Sequence, residues 1–153
     1  MSAYIDFWIR ANSGGPFLNL GSWSRSFYLY RAFSDYVRFE TFKELAPADL
    51  ACAKQELECQ ATAQQDLIER TKNEIEFLRG CVGINTDERF ERYNSLIESI
   101  EYAENELAQL QDAKNWIGFF ETILENQKYE TSAPATLYIS HECDPNYFEK
   151  ENE

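Results

Sequence analysis

Histidine occurs once, at His141, and no two of the four cysteines (Cys52, Cys59, Cys81, Cys143) form a CxxC pair. Cys/His metal centres draw their ligands from such pairs, so no zinc site and no other cofactor is expected. A Ser-His-Asp or Cys-His triad would have to run through His141, and no G-x-S-x-G elbow is present. His141 therefore reads as an ordinary residue at a strand end, and the cysteines as reduced helix residues. Cys52 and Cys59 are seven apart on one predicted helix, roughly 10 Å between Cα atoms, too far for a disulfide. Long apolar runs are missing: nothing approaches the ~18 residues of a membrane span. The start MSAYIDFWIR lacks the basic stretch that opens a signal peptide. The expectation is a cytoplasmic protein with no membrane contact. Bases are scarce, 14 Lys plus Arg against 27 Asp plus Glu, for a net charge of −13. Counterion release from phosphates needs clustered cations, so direct nucleic-acid binding is disfavoured, as is docking on anionic lipid.

Apolar and aromatic residues are plentiful, 44% and 15% of 153 residues, enough for one packed domain. Tyr4 to Arg10 alternate, with Ile5, Phe7 and Ile9 on one side and Tyr4, Asp6, Trp8 and Arg10 on the other. That is the pattern of a half-buried strand. Turn residues Ala11 to Pro16 and the extended Phe17–Leu20 complete a hairpin. Ser22, Ser24 and Ser26 offer N-caps for a short helix, Phe27–Phe33, and Tyr36–Glu40 reads as a third strand.

Pro47 at a first-turn position, with Asp49 behind it, opens a long helix. Its seam is Leu50, Leu57, Ala61, Ile68, Ile75, Leu78 and Val82, interrupted by Lys54, Gln64 and Thr71. A glycine-bracketed reversal over Arg79–Asn85 leads to a second helix capped by Asn85 or Thr86. Its seam is Phe90, Tyr93, Ile97, Ile100, Ala103, Leu107, Leu110, Ile117, Phe120 and Leu124. Two such seams joined by a short turn predict an antiparallel helical hairpin about 50 Å long. Residues Asn115–Leu124 are apolar round most of the helix, which implies a second cover from the amino-terminal hairpin and the short helix. Ala135–Ser140 reads as a last strand joining the same sheet. The acidic tail from Glu142 looks solvated or loosely docked through Tyr147 and Phe148.

The fold class expected is α+β: a small antiparallel sheet with a short helix, and a long coiled-coil-like hairpin inserted before the last strand. The segments are 1–46, the amino-terminal part of a head, 47–126, the helical hairpin, and 127–153, the completing strand and tail. Their net charges are +1, −10 and −4. No Lys or Arg lies between Arg92 and Lys114, whereas Glu98, Glu101, Glu104, Glu106 and Asp112 do. A solvated helix usually intersperses lysines there, so these five acids are candidates for docking a basic partner. Outer apolar positions such as Leu67, Phe77, Leu96 and Tyr102 suggest a homodimer through the hairpin. A second candidate is Ser22, Trp23, Ser24, Arg25 and Ser26 with Arg31, where hydroxyls, a helix start and guanidinium groups would hold a nucleotide phosphate.

The segments YIDFWIR and FLNLGSWSRSFYLYRAF resemble small accessory proteins of bacteriophages and mobile elements. The likeness covers about the first 35 residues and carries over no catalytic residue. It implies a non-enzymatic inhibitor of host machinery, anti-CRISPR-like, whose partner is a nucleic-acid-handling effector complex in the host cytoplasm.

Overall fold

The computed structural model describes residues 4–33, 42–80, 86–126, 135–141 and 145–146. Its elements are β1 (Tyr4–Ala11), β2 (Leu18–Ser24), α1 (Tyr28–Ala32), β3 (Phe42–Glu44), α2 (Pro47–Gly80), α3 (Thr86–Asn126) and β4 (Ala135–His141). The class is α+β, with the helical pair α2 and α3 packed together before the last strand. The expected strand Tyr36–Glu40, the reversal after Gly80 with Val82 and Asn85, Cys81, Cys143 and the tail residues Tyr147 and Phe148 lie outside the described residues. The third strand that is seen begins at Phe42.

Two compact units divide the chain. One comprises Met1–Leu57 with Asp112–Glu153, the other Glu58–Gln111. The division falls within α2 and α3, so the first eleven residues of α2 and the last fifteen of α3 belong with the sheet.

In the first unit the strand order is β2-β1-β4-β3, all antiparallel. Gly14 and Gly15 turn the β1–β2 hairpin at φ of 105° and 102°, a region that a side chain strongly disfavours. A bulge shifts the register between Phe7↔Gly21 and Trp8↔Asn19, leaving Leu20 as the extra residue. β1 lies between β2 and β4 and is paired along both edges, and each of its faces carries a buried side chain. Ile5 and Phe7 are fully buried on one side, and Trp8 keeps 8% of its surface on the other. The apolar end of α3 receives the cover its composition demands. Phe120 stacks on Phe7 at 4.5 Å, Trp116 meets Trp23 edge-on at 4.9 Å, and Phe33 closes on Phe7 at 5.3 Å. Ile117, Leu50, Leu57, Leu137 and Ile139 complete this core, each side chain worth ~1.5–3 kcal/mol on burial.

Helix α2 starts as its sequence dictates. Pro47 takes the first helical position, where a missing N–H costs nothing, and the Asp49 carboxylate accepts from the Ala46 N–H at 2.9 Å. Lys43 of β3 pairs with the same carboxylate at 3.2 Å. Opposite, the Asn146 side chain pairs with the Phe17 backbone. It accepts from the N–H at 2.7 Å and donates to the carbonyl at 2.8 Å, as a neighbouring strand would.

The second unit is the antiparallel pair formed by Glu58–Gly80 and Thr86–Gln111. Thr71, Ile75, Leu96, Ala103 and Leu110 are buried. Two seam expectations are corrected. Phe90 is 67% exposed, and Leu96, expected on the outer face, is 5% exposed. Counting back in sevens from Ala103 puts Leu96 and then Arg89 in the seam, and leaves Phe90 one position outside it. Arg89 uses that place to donate from Nη2 to the Leu78 carbonyl at 2.5 Å, satisfying one of the four acceptors at the end of α2.

Candidate protein-interaction surface

The acids of α3 are set by helical geometry. At 100° per residue, Glu101 and Glu104 lie about 60° and 120° round from Glu98 in one sense, and Glu106 about 80° in the other. Glu98, Glu101 and Glu104 are exposed, and form a ridge that drifts from the outer face toward one flank. Glu106 is half-buried on the opposite flank. Asp112 is exposed but belongs to the first unit. The structure thus brings together three of the five expected residues.

The register of α2 against α3 adds to this ridge. Glu74 accepts from Arg92 Nη2 at 2.6 Å, which fixes both the level of the pair and one side of the hairpin. On the other side Arg79 donates to the Tyr93 hydroxyl at 3.1 Å, and this bond raises the Arg79 pKa further above an already high value. Exposed Glu69 of α2 falls on that second side, level with the start of the Glu98–Glu104 ridge. It was not legible from α3 alone, since spacing within one helix says nothing of the facing helix. Near the Arg79–Tyr93 bond, Leu78, Arg79, Arg89, Phe90 and Tyr93 line a surface depression of about 290 Å³.

The serine-arginine segment takes a different form from the one expected. Helix α1 has Phe27 at its N-cap and no side-chain cap, because Ser22 and Ser24 are strand residues. Ser22 donates to the Asp6 carboxylate, which also accepts from Asn19 Nδ2 at 3.2 Å. The Ser24 and Ser26 hydroxyls bond each other at 2.8 Å. Strand alternation sends Trp23 to the opposite face, into the aromatic core against Phe7, Trp116 and Phe120. Arg31 spends its guanidinium on the Arg25 and Ser26 carbonyls at 3.2 and 3.4 Å and stacks over Tyr28. Arg25 is exposed. The six residues are divided between two faces of β2 and the turn behind it, with a carboxylate beside Ser22.

His141, at the end of β4, hydrogen-bonds the Tyr30 hydroxyl through Nε2 at 3.1 Å. Cys52 and Cys59 are free and exposed on α2. No group of three or more His, Cys, Asp or Glu among the described residues is arranged to hold a metal ion, and no described helix is long and apolar enough to cross a membrane. No protein-family model matches the chain, and neither a curated protein nor a solved structure matches it.

Proposed function

We propose that this protein is a non-enzymatic, acidic interaction protein of the cytoplasm. It binds a basic, nucleic-acid-handling host protein through the Glu98–Glu104 ridge, as a phage-type, anti-CRISPR-like inhibitor would. The observation that carries the reading is the absence of Lys and Arg between Arg92 and Lys114, combined with the exposure of Glu98, Glu101 and Glu104. Carboxylates set along one side of a helix present a field resembling that of nucleic-acid phosphates. Such a field steers a basic groove toward the ridge and occupies the site that DNA or RNA would take.

The test compares the wild-type protein with a variant carrying Gln at 98, 101, 104, 106 and 112. Each is added to RNA-guided effector complexes of the host, and DNA binding is followed by mobility shift. Displacement of DNA by the wild type, weakening as salt rises and lost in the variant, supports the reading. Equal activity of the two at physiological salt overturns it.

A further inference from the structure

Full burial is distributed unevenly between the two units. Of the twelve largest fully buried side chains among the described residues, eleven belong to the first unit, and Leu110 alone belongs to residues 58–111. The seam of that second stretch is also partly polar. Its buried positions are Thr71 and Ile75 on α2 and Leu96, Ala103 and Leu110 on α3. Thr71 donates its hydroxyl to the Leu67 carbonyl at 2.7 Å, so that this donor is used within its own helix. Ala103 contributes a single methyl group. Gln64 places its Oε1 in the seam, buried and without a hydrogen-bond partner. The Glu74–Arg92 ion pair is half exposed, and water screens it.

We infer that residues 58–111 open and close as one cooperative unit while the sheet keeps its core, and that Gln64 shifts this balance toward opening. The free energy of a local opening follows the apolar surface it uncovers, and here that surface is small. Each helix of the stretch has about two dozen residues, a length that is marginal in water without tertiary support. When the seam parts, both helices therefore lose their backbone order together. The opening ends where burial resumes, at Leu50 and Leu57 on α2 and at Ile117 and Phe120 on α3. In the open form the Gln64 carbonyl gains the water that the seam denies it, so this residue disfavours only the closed form. Glu98, Glu101 and Glu104 all lie within the opening stretch, and the ridge they make exists only while the hairpin is closed. The opening itself does not depend on what the ridge binds.

Amide hydrogen exchange of the full chain tests it, with the wild type, Gln64→Leu and Ser140→Ala compared. In the wild type, amides of 64–76 and 93–107 are expected to share one protection level, at least about tenfold below that of β1 and β4. Ser140 is fully buried in β4 and accepts from the Trp8 indole at 2.8 Å, so its replacement weakens the sheet. Ser140→Ala is expected to speed exchange in β1 and β4 and to leave the hairpin amides unchanged. Gln64→Leu is expected to slow the hairpin amides about fivefold, on α3 as well as on α2. One common rate for hairpin and sheet, or hairpin amides that speed up in Ser140→Ala, overturns separate opening. Slowing confined to α2 in Gln64→Leu overturns joint opening of the two helices, and no slowing overturns the role of Gln64.

Discussion

The indole Nε1 of Trp8 donates to the hydroxyl of Ser140 at 2.8 Å, inside a site where Ser140 is completely buried. The bond spans β1 and β4 on the sheet face opposite the Phe7 core. It explains how a tryptophan with a polar handle sits at 8% exposure there. Ser140→Ala leaves the indole N–H with no acceptor in a dry place. A loss of about 1–3 kcal/mol of unfolding free energy is expected in urea titration, with no change in helix content. An unchanged midpoint would mean that water reaches the indole.

Gly21 faces the Trp23 ring. A Cβ built there comes within 2.5 Å of the Trp23 Cη2 atom, and the ring is held from behind by Phe7 and Trp116. Gly21→Ala is expected to expel the ring, shift tryptophan emission to longer wavelength and cost about 1–3 kcal/mol, as overpacking does. Emission identical to that of the wild type would refute the close approach.

Gln64 sits at a seam position of α2, seven residues before buried Thr71, and its Oε1 is buried without a hydrogen-bond partner. An unsatisfied amide there costs stability that an aliphatic side chain would return. Gln64→Leu is predicted to raise stability by about 1 kcal/mol or more, measured by thermal melting. A lower melting temperature would show that the amide has a use the seam does not reveal.

The Arg92–Glu74 contact is short, yet both side chains are about half exposed, at 54% and 43%. Water screens such a pair and the two long side chains lose freedom in making it. Arg92→Ala is expected to change stability by less than about 1 kcal/mol. A much larger loss would assign Arg92 a packing role in addition to its charge.

Elements with strong periodicity were legible from the residues. The alternation of Ile5, Phe7 and Ile9 gives β1, Pro47 with Asp49 gives the start of α2, and the apolar girth of Asn115–Leu124 announces a helix covered on two sides. What the chain concealed depends on neighbours. Trp8 reads as the solvent face of a strand until Ser140 of β4, more than a hundred residues later, takes its indole N–H in a buried site on that face. Phe90 is the more apolar choice for a seam than Arg89. The packing period selects Arg89 because its stem can lie in the seam while its guanidinium serves the Leu78 carbonyl. The serines before α1 look like caps, but the strand continues through Ser24 and consumes Ser22 on Asp6. Of the five acids expected to act together, three share a ridge. The departure of Glu106 follows from its position two residues past Glu104, which rotates it about 160° back toward the other flank.

The pairing of β1 with β4 joins Ile5 to His141 and Ala11 to Ala135. During synthesis β1 is made first, and the strand that seals its inner edge arrives only after residue 141 has left the ribosome. Residues 58–111, whose helices touch partners nearer in sequence, can close earlier. The sheet therefore spends the interval with one edge of β1 unpaired and Trp8 without its Ser140 acceptor, the condition under which nascent chains aggregate or engage chaperones. Lengthening the 127–134 connection would lengthen that interval.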